Sequence, residues 1–345
     1  MTPRERMEAF SKGEEIDRIP CMPSMGVTMA NLMGVSNYEY YHSADKIADL
    51  EVFLFEKIGH DSVGVGTTLR GVAEALGSKI AYPTNGISYL EEPILKDIRE
   101  VENLSPADPL KDGKLPLAFE ALGKVIKRIG HLVEVGSDIA GPLSAAAAVV
   151  GTENLMKGMI KYPDKVHTLL EIVTETNLRI IRQFASMGVG LGMSDPISST
   201  SMISLARYKE FSMPYQKKCV DKMREITGQG TSIHICGKSS KLWEDILKTG
   251  VTSFSIDNVE DLKEAKLVLG KEVCIAGNVD PVNIMRNGSV QDVLEASKKC
   301  IMEAYDSPNG FVLSTGCQIP MGTPIENIQA MMEAARIYGK YPIKY

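Results

Sequence analysis

The amino-acid sequence predicts an α/β protein built as a (β/α)8 TIM barrel, with an inserted hairpin near residues 76–95. Three observations lead there. Eight short apolar runs alternate with amphipathic stretches from end to end, the pattern of repeated βα units. No GxGxxG follows the first run, as an open dinucleotide-binding sheet would require. A chain of 345 residues has room for eight such units in one barrel. A single domain spanning 1–345 is therefore expected, with the hairpin as an excursion.

The elements follow in order. "TPRE" at 2–5 is a capping box in which Thr2 and Glu5 start a helix. The first strand is expected at 19–24, "IPCMPS", and the second at 61–66, "DSVGVG". The hairpin comes next, turning at "PTNG", 83–86. Strands three to eight fall at 132–137, 189–194, 232–237, 253–257, 273–278 and 311–316. Apolar spacing puts Val290, Val293, Leu294, Ser297 and Ile301 on one helical face behind a Ser289 cap. "TPIE" at 323–326 predicts a last helix capped by Thr323, with Pro324 in its first turn and Glu326 closing a capping box.

Composition narrows the function. Hydrophobic content of 44% and charge of 24% suit a globular protein with an ordinary core. A net charge of −6 with no basic run leaves no footprint for nucleic acid or an anionic membrane. The most apolar segment, "AAAAVV" at 145–150, is too short to span a bilayer. "MTPRERMEAF" lacks the apolar stretch of a secretory signal. A cytoplasmic protein is the expectation.

Six cysteines are scattered without a CxxC, which disfavours disulfides in a reducing compartment. Cys21 and Cys274 read as core residues, and Cys219 and Cys300 as core or surface positions on helices. His42, His60, His131 and His167 have no metal-ligand partners nearby in sequence. Met22, Met25, Met29 and Met33 crowd one stretch, either as core or as the adaptable wall of an apolar pocket.

The chemistry concentrates in "TSIHICGKSS", 231–240. His234 and Cys236 stand at i and i+2 of one strand, so they share a face. The ends of barrel strands carry the chemistry in this fold, and inward side chains from different strands can meet there. Strand eight ends in "STGCQIP", with Cys317 just past it. His, Cys and Cys together suit Zn2+ with a fourth position open. The alternative is a satisfied core histidine with two inert thiols. Three further residues sit at strand ends: Asp257, a candidate fourth ligand or hydrogen-bonding group; Asp195, a mouth-facing carboxylate; and Asn278, a donor to a substrate oxygen. Each is equally readable as a loop cap.

The run "HICG…GNVDP…STGCQIPMGTPIENI" resembles the uroporphyrinogen decarboxylase superfamily, and within it the methylcobalamin:coenzyme M methyltransferase branch. "SKGEEIDRIP", "AGPLSAAAAVVGTENLMKGMI", "SDP" and "AGNVDP" extend the likeness over nearly the full length. The resemblance implies a (β/α)8 barrel and a zinc ion held by His234, Cys236 and Cys317. It implies a methyl transfer between methylcobalamin and a zinc-activated small molecule, a thiol such as coenzyme M first of all. Two thiolates and one imidazole leave zinc less electrophilic than three imidazoles would, which favours a bound thiolate that stays nucleophilic.

Two other readings stand beside it. One is a methyltransferase of an O-demethylating system, taking methyl from a methoxylated aromatic to cob(I)alamin. The other is a decarboxylase-like barrel that binds a tetrapyrrole without methyl chemistry. Against the latter, the stretch "CMPSMGVTMANLMGV" carries no cation for a many-carboxylate substrate. No DxHxxG corrinoid motif occurs, so cobalamin is expected from a partner corrinoid protein docking over the barrel mouth.

Overall fold

A computed structural model describes residues 1–343, so the last two positions of the expected 1–345 span lie outside it. Nine strands occur among the described residues: β1 (Ser62–Gly64), β2 (Lys79–Ala81), β3 (Tyr89–Glu92), β4 (Glu134–Ala140), β5 (Gly190–Ser194), β6 (Thr231–Ile235), β7 (Ser253–Ile256), β8 (Cys274–Val279) and β9 (Phe311–Thr315). Seven form one parallel sheet in the order β1-β4-β5-β6-β7-β8-β9. The fold is a TIM-barrel-like α/β array, with β2 and β3 pairing antiparallel as the inserted hairpin. Its connection, 82–88, is a longer loop than the tight turn expected at 83–86.

The run expected as the first strand does not form one. Pro20 and Pro23 flank Cys21 and lack the N–H groups a ladder needs. What remains is a single parallel bridge from Cys21 to Leu313 of β9. The other side of the seam is closed by one residue. The Asp61 N–H donates to the Cys21 carbonyl at 3.0 Å, and the Asp61 carboxylate accepts the Cys21 N–H at 2.7 Å. That fully buried carboxylate also accepts from Arg18 at 2.7 and 3.0 Å and from Arg6 at 2.6 Å. Backbone and side chain together replace the missing ladder between the 19–24 segment and β1.

Strand parity is inverted relative to a densely filled barrel. Ile233, Ile235, Phe254, Ile256 and Ile275 point outward and are fully buried beneath the helices. The inward positions are small and polar instead: Ser232, Ser253, Ser255 and Ala276, with Gly64 and Ser314 across the barrel. Branched residues fill the axis of an ordinary barrel of this class. Here the apolar core lies between sheet and helices, and the axis stays open as a cavity of about 610 Å³.

Caps divide into those the local chain sets and those it does not. Thr2–Glu5 and Ser289–Asp292 form complete capping boxes. Thr323 caps nothing; its hydroxyl turns back to the Pro320 carbonyl at 2.8 Å, and the last helix starts at Ile325. Val290, expected on the buried face of its helix, lies in the first turn and is 45% exposed, whereas Val293, Ser297 and Ile301 are buried. No helix among the described residues is long and apolar enough to cross a membrane.

Removing the Asp61 charge should open the seam. Asp61→Asn leaves the buried Arg18 guanidinium without a carboxylate and Arg6 with Asp17 alone, and is expected to cost roughly 3–5 kcal/mol in urea unfolding. A loss below about 1 kcal/mol would show that the bridge to β9 closes the barrel unaided.

Candidate metal centre

His234, next to the last residue of β6, points into the cavity. Cys236, two residues on, keeps the same parity and enters the cavity beside it. Cys317 follows β9 by two residues. In a flat sheet β6 and β9 would lie three strand spacings apart, about 14 Å. Barrel curvature brings them together. His234 Nε2 lies 3.0 Å from Cys236 Sγ, and Cys236 Sγ lies 3.5 Å from Cys317 Sγ. The three ligand atoms fall within 4.8 Å of one another, and no other such group of His, Cys, Asp and Glu occurs among the described residues.

The imidazole is oriented for this role. Its Nδ1 donates to the Ser255 carbonyl at 3.2 Å, with the Ser255 hydroxyl at 3.1 Å. A carbonyl can only accept, so Nδ1 carries a proton, and Nε2 is the ring atom that faces the thiols. The two thiols perturb one another in opposite directions. The hydrogen bond between the thiols, with His234 beside it, pulls the Cys317 thiol far below its ordinary value. The neighbouring thiolate, reinforced by burial, holds Cys236 far above its own.

Loops behind the ligands hold them in tiers. Asp257, just past β7, accepts the Gly237 N–H at 2.7 Å and the Val259 N–H at 3.1 Å. Gly237 takes φ +70°, a left-handed turn that a side chain would strain. Glu260 accepts from the Ser239 N–H, and from the Ser240 N–H at 2.8 Å. Asn278 then donates to the carbonyls of Asp257 at 3.1 Å and Glu260 at 2.9 Å. Gly316 lets the β9 loop close on this assembly, since a Cβ there would sit 2.3 Å from the Asn258 nitrogen.

Comparison with known proteins places this architecture. The uroporphyrinogen decarboxylase family model matches residues 2–338. The chain belongs to the uroporphyrinogen decarboxylase family. Among its relatives, a methylcobamide:CoM methyltransferase of Methanosarcina acetivorans is 30% identical, over 98% of this chain and 98% of that protein. A methylated-thiol–coenzyme M methyltransferase of Methanosarcina mazei is 26% identical over 97% of this chain and 89% of its own length. The solved structure of a methyltransferase from Methanosarcina mazei superposes with TM-score 0.86 at 25% identity, covering 97% of this chain and 98% of that one.

Within this family member, Asp257 takes the second of its two expected roles, and Asn278 and Asp195 sit differently from expectation. Asp257 lies outside the set of three ligands and hydrogen-bonds the loop, each of its oxygens accepting one backbone N–H. Asn278 faces the loop behind the site, not a substrate oxygen, since its amide is spent on two carbonyls. Asp195 does not face the mouth. It is fully buried, with one oxygen accepting from the Ser144 N–H and hydroxyl at 2.9 and 2.6 Å and the other from Gln216 at 2.9 Å. The helix Pro142–Val150 begins after Gly141, which has no side chain to cap it, and Asp195 supplies that cap from the next strand. Burial raises its pKa against these hydrogen bonds.

Other cavity residues carry no motif in the sequence. Asp138 of β4 faces the cavity with Ser194 Oγ 3.5 Å away; the enclosing walls push its carboxyl up to about 6, against the pull of Ser194 and His234. Arg70 and Lys114 also line it. Of the four methionines, Met22 and Met25 reach the cavity, whereas Met29 is core and Met33 packs against the core. Cys21 is buried as expected, Cys219 and Cys300 are buried, and Cys274 is half-buried.

The cap assigned to Asp195 has a direct check. Asp195→Ala strands the Ser144 and Gln216 donors and should destabilise the fold by about 2–4 kcal/mol, with metal content per folded chain unchanged. Unaltered stability with lost activity would instead return Asp195 to the chemistry.

Proposed function

We propose that this protein is a cobalamin-dependent methyltransferase that uses zinc. In this reading it moves a methyl group between methylcobalamin on a partner corrinoid protein and a small substrate activated at the metal centre, a thiol such as coenzyme M first of all. The convergence of His234 Nε2, Cys236 Sγ and Cys317 Sγ at the top of a hollow barrel carries it. The names of the relatives, methylcobamide:CoM and methylated-thiol–coenzyme M methyltransferases, support the same class.

The donor set fits Zn2+. Bonds of about 2.3 Å to two sulfurs at a tetrahedral angle put the sulfurs about 3.8 Å apart, close to the 3.5 Å between Cys236 and Cys317. Three protein ligands with a fourth side open to a cavity match a catalytic rather than a structural site. Zinc bound there would supply Lewis-acid chemistry, lowering the pKa of a thiol that meets it. The protein's own part is positioning. Ser255 fixes the imidazole, Asp257 and Asn278 fix the Cys236 loop, and Met22 and Met25 give the cavity an apolar wall. The corrinoid comes from outside, over the C-terminal mouth where these residues open.

Metal analysis is the first test. One zinc per chain is expected in the wild type, with occupancy lost in Cys317→Ala. A metal-free wild type, or full retention by the mutant, would sink the site. Activity should need free cobalamin or a corrinoid protein.

The substrate type is read at zinc itself. Adding the correct thiol at neutral pH should release close to one proton, because a thiol of pKa about 8.5 is mostly protonated beforehand. X-ray absorption at the zinc edge should gain a third sulfur. An added oxygen would point to demethylation of a methoxyarene, and an unchanged shell during turnover would refute metal activation.

A further inference from the structure

The cavity that opens on the metal centre also holds two cations without partners. Arg70 lies just past β1, on the mouth side of the barrel, and Lys114 stands at the start of the helix Leu115–Ile129; both are half-buried and line the cavity. Among the described residues, neither makes an ion pair, and the Arg70 guanidinium donates no hydrogen bond. Burial lowers the Arg70 pKa, opposed only by Tyr41 and Tyr82. Lys114 Nζ rests 4.8 Å from the centre of the Tyr82 ring, a cation–π contact that leaves its donors free.

The nearby carboxyls do not answer these charges. Glu74 accepts the Tyr82 hydroxyl at 2.8 Å and has no ion pair with either cation. Glu51 is buried, which pushes its carboxyl up to about 8 and leaves it uncharged at neutral pH. A half-buried guanidinium is costly to keep unpaired. A fixed planar fork of donors facing a cavity suits a carboxylate or sulfonate.

We propose that Arg70 and Lys114 form the anion subsite of this pocket, receiving an acidic group on the substrate whose reacting atom goes to the His234–Cys236–Cys317 centre. The assignment rests on reading that centre as the reaction site. It narrows the substrate from any small thiol or ether to one carrying a carboxylate or sulfonate. The residues come from the loop after β1 and the helix after the hairpin, not from the cation-free 21–35 stretch. Selectivity by charge then resides in two side chains on a different wall from the ligands. An acidic tail held there would also orient the reacting end, since a tethered group approaches the metal from one side only.

The test separates this subsite from the metal chemistry. Titration calorimetry on metal-stripped protein with ethanesulfonate and with propionate reads the anion subsite alone, and comparing the two distinguishes sulfonate from carboxylate preference. At least one should bind, weakening as salt rises. Arg70→Gln should reduce that affinity tenfold or more, Arg70→Lys should recover part of it, and Lys114→Gln should give a smaller loss. In the loaded enzyme, Arg70→Gln should raise KM for 2-mercaptoethanesulfonate or 3-mercaptopropionate while leaving KM for 2-mercaptoethanol within twofold. Equal binding of anions by wild type and Arg70→Gln would overturn the proposal. A raised KM for the corrinoid protein alone would also overturn it, assigning Arg70 to docking. Arg70-dependent anion binding without methyl transfer to any acceptor would support the subsite and overturn the methyltransferase reading.

Discussion

Closure of the barrel at Asp61 is the constraint on which the rest depends. Two prolines deny the first barrel segment its ladder, and one buried aspartate replaces it with backbone and side-chain bonds to Cys21. Arg6 and Arg18 supply counter-charges to this buried carboxylate where it is needed as an acceptor. Closure sets curvature, and curvature lets thiols from β6 and β9 come within 3.5 Å. An open sheet of the same strands would leave His234 and Cys317 too far apart to share an ion.

A closed barrel alone would still give no site if its axis were filled. This one is hollow because serine, glycine and alanine take most inward positions of β1 and β6 to β9, beside Val312 and His234, while isoleucine and phenylalanine occupy outward ones. Stability then comes from apolar area between sheet and helices, and the polar axis is left for a ligand. The metal centre lies at the mouth, supported by loops whose carboxylates hold backbone N–H groups. Rigid support of this kind keeps a donor set in place before any ion binds.

Much of this was legible from residue order. The parity of His234 and Cys236 puts them on one face, and both fall at the end of a strand recognisable from its neighbours. Cys317 was legible because a strand ends just before it. Asp195 was misread for a physical reason: it lies just past β5, where parity no longer says which way a side chain turns. Its partners, Ser144 and Gln216, are 51 and 21 residues away in the chain. Asn278 failed similarly, since its amide serves two carbonyls of another loop. Thr323 carried a good capping pattern, yet its hydroxyl found a closer acceptor in Pro320.

Local chemistry by itself determined the alternation of strands and helices, the capping box at Thr2, the cap at Ser289, the hairpin excursion and the ligand types. These depend on periodicity and on bonds spanning about four residues, which order along the chain encodes directly. Only the tertiary structure decided that the three ligands meet, that the axis is empty, and that Asp138, Arg70 and Lys114 face the same cavity. Those facts depend on curvature and on contacts between residues tens to hundreds of positions apart. A lone arginine after a strand looks the same in sequence whether it meets solvent, a carboxylate or an open pocket. Packing distinguishes these cases, because the cost of leaving a charge unpaired depends on what surrounds it.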